Sequence, residues 1–148
     1  MKGTTILLAV IAALSAGLSA ARADMEAKGV LVAARALNFV KPPPPSGAKV
    51  TVTEGAAKLA EVAAALSAFS VVSGNGVGAY AAFVSSTAEA KAAGPKVLTI
   101  GPLDCVEAGA CVLSVETNPK VVIYLSNAAA AAAGVDFDSN FKLMVQAK

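Results

Sequence analysis

Two cysteines, Cys105 and Cys111, are the side chains of this 148-residue sequence best placed to react with each other. The segment Cys105-Val106-Glu107-Ala108-Gly109-Ala110-Cys111 contains a glycine able to take the positive φ of a tight turn, so its ends can meet. In an oxidising compartment such a pair is expected to be bridged rather than free. Closing this loop stabilises the fold by ~2 kcal/mol in the chain-entropy model. A bridge there can act as a local staple or as a redox-sensitive latch. No Lys, Arg or His flanks either cysteine to depress a thiol pKa, which favours the staple. Two cysteines without histidine supply too few ligands for a metal site, so none is expected.

Histidine is absent from the whole chain, and with it any Ser-His or Cys-His nucleophile. The acids are scattered. Asp136 and Asp138 stand two apart, but they precede an expected helix, where capping and dipole complementarity account for them. Gly74-Asn75-Gly76-Val77-Gly78 has the look of a phosphate loop, yet a dinucleotide fingerprint opens a helix and here an apolar strand follows. It reads as a turn. No catalytic residue and no cofactor are assigned, and the chain reads as a binding protein rather than an enzyme.

Residues 26–40 carry Val30, Leu31, Ala34, Leu37 and Val40 on one stripe and read as a first helix. Four prolines, Pro42 to Pro45, end it and form a stiff connector. Strands are expected at 48–53, 69–73, 79–84 and 96–100, with helices at 56–68 and from the capping box Ser86-Thr87-Ala88-Glu89 to Gly94-Pro95. Residues 111–116 and 120–125 should form an antiparallel hairpin around Thr117-Asn118-Pro119. Asn127 is a candidate cap for the alanine helix and Gly134 its end. Asp138 or Ser139 would cap a last helix bearing Phe141, Leu143, Met144 and Val145. Tyr80 and Tyr124 fall in strands as core or edge residues. The alternation up to Ile100 predicts a single layered α/β domain, its sheet mixed but mostly parallel and flanked by helices.

A positive start, an apolar run from Thr4 to Leu18 and the small-residue site Ala21-Arg22-Ala23 read as a signal peptide over residues 1–23, cleaved after Ala23. The domain is then 24–148, without stable membrane insertion. Removing Lys2 and Arg22 leaves 10 basic against 10 acidic residues, so the formal charge falls from +2 to zero. No basic patch remains to attract nucleic acid.

From Val97 onward the order of elements resembles the YfiR family of exported proteins. Val97-Leu98-Thr99-Ile100 is similar to the family's late strand, and the Cys105 to Cys111 loop to one bridged locally in some members. Val121 to Asn127 resembles the strand leading into its alanine-rich N-x-x-A-A-x-x-A-G helix. Near the start, Leu37-Asn38-Phe39-Val40-Lys41-Pro42 is similar to the helix end that precedes a Trp-Pro in many members, although the tryptophan is missing here. The resemblance implies a periplasmic regulatory protein that restrains a membrane-bound sensor or diguanylate cyclase, in the c-di-GMP pathway, by protein contact. A homodimer is among the assemblies it implies. Only Cys105 and Cys111 carry over residue by residue, as a structural disulfide. The alternative is a small-ligand module. Parallel sheets bind ligands beyond their strand C-termini, where Ser73, Asn75, Ser85, Ser86, Thr87 and Asp104 could line a crevice.

Overall fold

A computed structural model describes residues 27–53 and 56–148, residues 56–58 by their backbone. The expected signal peptide and its cleavage point lie outside the described residues. Runs rich in β-branched residues form the sheet, and alanine-rich runs form the helices above it. Helix α1 (Ala27–Ala36) passes through a 3-10 turn (Leu37–Phe39) into β1 (Val40–Lys41). Then follow β2 (Lys49–Val52), α2 (Ala56–Ala65), β3 (Ser70–Ser73), β4 (Ala81–Phe83), α3 (Thr87–Ala93) and β5 (Leu98–Ile100). The chain ends in α4 (Leu103–Glu107), β6 (Leu113–Glu116), β7 (Val122–Leu125), α5 (Asn127–Ala133), β8 (Asp136–Phe137), α6 (Ser139–Lys142) and β9 (Val145–Ala147).

Seven strands form one sheet in the order β3-β2-β4-β5-β6-β7-β9, and β1 pairs with β8 in a separate antiparallel ribbon. From β3 to β6 every pairing is parallel. The β6–β7 hairpin is antiparallel, and β9 returns parallel to β7. The architecture is therefore the α/β layered domain with a mixed, mostly parallel sheet that the alternation predicts. Numbered along the chain, the first five strands lie 2-1-3-4-5, the doubly wound order that reverses direction between the first and third strands.

The period-2 pleat sorts side chains onto two unlike faces. Val50, Val52, Phe83, Leu98, Ile100, Leu113 and Val115 share a face with Val30, Ala33 and Leu37 of the first helical segment and Val62 and Leu66 of the α2 region. Each large side chain buried there stabilises by about 1.5–3 kcal/mol. The alternate positions are smaller or polar: Thr51, Ala82, Thr99 and Ser114, all buried. Above Ala82 and Val84 pack Ala90 and Ala93 of α3 and Cys105 and Val106 of α4.

Four expectations are corrected. The first helix stops at Ala36, because Lys41 precedes a proline and is held extended, which draws Val40 into β1 opposite Phe137. Ser126, not Asn127, caps α5, accepting the Ala129 N–H at 3.2 Å. Residues 103–107, expected as loop, form α4. The last helix closes after Lys142, and Val145 joins β9 because pairing with Ile123 satisfies backbone groups that a longer helix would have satisfied internally. The cap expected at Ser86 forms, its side chain accepting the Glu89 N–H, while the Glu89 carboxylate accepts the N–H of Ser85, one residue before the cap. Gly134 ends α5 at φ +73°.

The glycine-rich segment is a crossover. Residues 74–80 carry the chain from β3 over β2 to β4, and only a glycine fits where the path is tightest. At Gly76, φ is +88°, and an added Cβ would meet the Cβ of Ala93 at 2.7 Å and that of Ala82 at 3.0 Å. Gly76→Ala is therefore expected to destabilise the domain by at least about 2 kcal/mol, read as a lowered Tm in thermal unfolding. An unchanged Tm would show that the loop is not clamped there.

Candidate functional site

Cys105 and Cys111 form the expected disulfide, with a Cα–Cα distance of 5.1 Å. The short helix α4 and the turn at Gly109 (φ +72°) bring the ends together. The N–H groups of Ala110 and Cys111 both donate to the Cys105 carbonyl, at 3.0 and 3.1 Å. The Thr99 hydroxyl donates to the Ala110 carbonyl at 2.9 Å, tying the loop to β5. Both cysteines are 0 % exposed, so a reductant reaches the sulfurs only after local opening. That burial favours the staple over the latch.

The reversal of strand order opens a crevice where the chain leaves β2 and β4, and a carboxylate organises it. Glu89 lies one turn into α3, so its side chain reaches back to the strand ends. Its Oε2 accepts the Ser85 N–H at 2.8 Å, the Ser85 hydroxyl at 2.9 Å and the Thr53 hydroxyl at 2.6 Å. The other acceptor near the Thr53 hydroxyl, the Phe83 carbonyl at 3.2 Å, already takes the Thr53 N–H. Glu89 therefore braces the segment after β2 against the segment after β4. Beside this brace lies a cleft of about 250 Å³ lined by Thr53, Ser73, Gly74, Asn75, Glu89 and Ala92.

Of the expected ligand-site residues, Ser73 and Asn75 line the cleft itself, and Asn75 Oδ1 accepts the Val77 N–H at 3.1 Å. Ser85 sits behind it on the Glu89 carboxylate, Ser86 is the α3 cap and Thr87 the first residue of that helix. Asp104 stands apart, exposed on α4 beyond β5, and does not line the cleft. Thr53 and Glu89 complete the site but were not expected in it. The capping box pointed to Glu89, since a glutamate at its third position faces back toward the preceding strand. Nothing local marked Thr53, which joins only through strand order.

Among the described residues no three His, Cys, Asp or Glu side chains gather where they could hold a metal. No helix among them is long and apolar enough to cross a membrane. The Tyr80 hydroxyl is buried without a hydrogen-bond partner, and desolvation pushes the phenol above its ordinary pKa.

Asp136 and Asp138 do what their place before a helix predicts. Asp138 caps α6, accepting the Asn140 N–H at 2.9 Å, and lies 3.3 Å from the Lys41 ammonium. Asp136 pairs with Lys142 at 2.5 Å and accepts its neighbour's Phe137 N–H. These contacts hold both carboxyls below the usual range, chiefly through the Lys142 hydrogen bond for Asp136 and the Asn140 N–H for Asp138.

The fold and site together define a doubly wound α/β domain with a hydroxyl- and amide-lined crevice at its switch point. No protein-family model matches the chain, nor does any curated protein.

Because folding lowers both aspartate pKa values, their contribution is present above the unfolded carboxylate value of about 3.9 and fades as pH falls through the folded values. Tm measured from pH 7 down to pH 2 should fall less steeply on its acid limb for Asp136→Asn/Asp138→Asn than for the wild type. Parallel acid limbs would show that neither carboxylate is held in the folded state.

Proposed function

We propose that this chain is an exported regulatory binding protein that restrains a membrane-bound signalling partner, of the sensor or diguanylate-cyclase type, by protein contact in the periplasm. The observation that carries the reading is the surface beside β9. Leu143 is 85 % exposed and Met144 63 % exposed, and they lead directly into a strand at the margin of the sheet. Such a strand offers unpaired N–H and C=O groups to another chain, and Val145-Gln146-Ala147 carries no charge or proline to repel one. Methionine adapts its shape to a partner's surface. The disulfide supports the export half of the reading, since such bridges persist in oxidising compartments. The resemblance in the closing third supplies the partner class, and a second copy of the chain is the other occupant this edge would accept.

A photo-crosslinking residue at position 143, in cells of the source organism, should capture an inner-membrane sensor or cyclase protein. The same residue at the exposed Glu61 position should not. Capture of no membrane protein at 143, or equal capture at both positions, would overturn the reading.

The switch-point cleft favours a second reading, a module for a small uncharged polar ligand such as a polyol or an amide. Ser73 and Asn75 supply a hydroxyl and a carboxamide there, and Glu89 is engaged in bracing the walls. In a thermal-shift series with polyols and amides, a true ligand at 100 times its Kd would add about 2.7 kcal/mol of stability. Asn75→Ala should abolish that shift. A series without any shift, or a shift that survives Asn75→Ala, would remove this reading.

A further inference from the structure

A second cleft, of about 240 Å³, shares helix α3 with the first but none of its lining residues. Its walls come mainly from three elements, and all but one of the side chains that those elements present to it are small. Helix α3 contributes Ala90, the disulfide loop contributes Gly109 and Ala110, and α5 contributes Ala129 and Ala132. Buried Thr99 and Val112 also line it, and the Thr99 hydroxyl is already committed to the Ala110 carbonyl. The lining is thus aliphatic, with no aromatic ring to stack a flat ligand. The one charged side chain on it is Lys91, which is exposed. The ion pairs found among the described residues join Lys41 to Asp138 and Lys142 to Asp136, so neither occupies that ammonium.

The space follows from the sequence. Alanine on two helices and a glycine-alanine loop cannot interdigitate to fill the gap between them, as larger side chains would. The gap is held open because one wall belongs to the loop closed by Cys105–Cys111 and anchored through Thr99. A cavity of about 150 Å³ with apolar walls accepts a benzene-sized molecule, so this cleft has room for a longer aliphatic body. A cation at an aliphatic slot selects an amphipathic anion.

We propose that this cleft binds a medium-chain acyl carboxylate, its alkyl body among Ala90, Ala110 and Ala132 and its carboxylate on the Lys91 ammonium. Binding needs no other charge, because the apolar body supplies the affinity and the exposed ion pair adds orientation and a modest gain.

The purified protein, titrated calorimetrically with octanoate below its micellar concentration, tests the site, with 1-octanol as the uncharged control. Octanoate should bind saturably with one site per chain, and Lys91→Gln should weaken it roughly two- to fivefold while leaving octanol binding unchanged. Ala132→Leu, at an exposed helical position, should fill the slot and weaken both probes at least about tenfold with the far-UV circular dichroism unaltered. Absence of saturable octanoate binding to the wild type would overturn the proposal. So would octanoate affinity unmoved by Ala132→Leu, or affinity unmoved by Lys91→Gln.

Discussion

Parallel strands cannot be joined by a tight turn, and the rest of this structure depends on that constraint. Each connection from β2 to β5 has to travel the length of the sheet and return over one of its faces. The β2-to-β3 connection crosses with α2 over the face of Val50, Val52 and Phe83, and the β4-to-β5 connection crosses with α3 over the other. Between them the β3-to-β4 connection must pass β2 without a helix, which is why it narrows onto Gly76. The two helical crossovers part above the ends of β2 and β4, and the crevice braced by Glu89 is what remains. The site is thus a by-product of topology, furnished by whichever polar residues stand at the strand ends.

The two faces of the sheet are unequal, and the inequality shapes what the domain can offer. One face is a core of large aliphatic and aromatic side chains. The other places Thr51, Thr99 and Ser114 in the interior under alanine-rich elements. The Thr99 hydroxyl finds the Ala110 carbonyl, while the Thr51 hydroxyl is left without a partner. A layer with fewer large apolar side chains gains less from burial and leans more on covalent and hydrogen-bonded ties. The disulfide between Cys105 and Cys111 lies in that layer.

Much of the fold was legible because its signals are local. Alternation at 48–53, the capping box at Ser86 and the turn at Asn118-Pro119 each mark an element within a few residues. The class of sheet followed from their alternation. What could not be read was set by distant partners. Val40 leaves the helical stripe because Phe137 offers it a ladder, and Leu143 and Met144 fall outside a helix because β7 recruits Val145. The candidate site divides the same way. Ser73 and Asn75 were found from the rule that strand C-termini line crevices, and Glu89 was visible only as a cap. Thr53 was invisible, because its role depends on β2 lying beside β4. Asp104 satisfied the same rule but stands past β5, away from the point where the order reverses.

The ribbon of β1 and β8 joins positions almost a hundred residues apart. Val40 pairs with Phe137, the rings of Phe39 and Phe141 stack at 5.3 Å, and Lys41 meets Asp138. During synthesis, the early segment has nothing to close against until the late one emerges from the ribosome. Loop closure over such a separation is entropically costly and slow. A nascent chain with this wiring cannot close the ribbon until its synthesis is nearly complete, so the strap across Val40 and Phe137 is among the last parts of the domain to form.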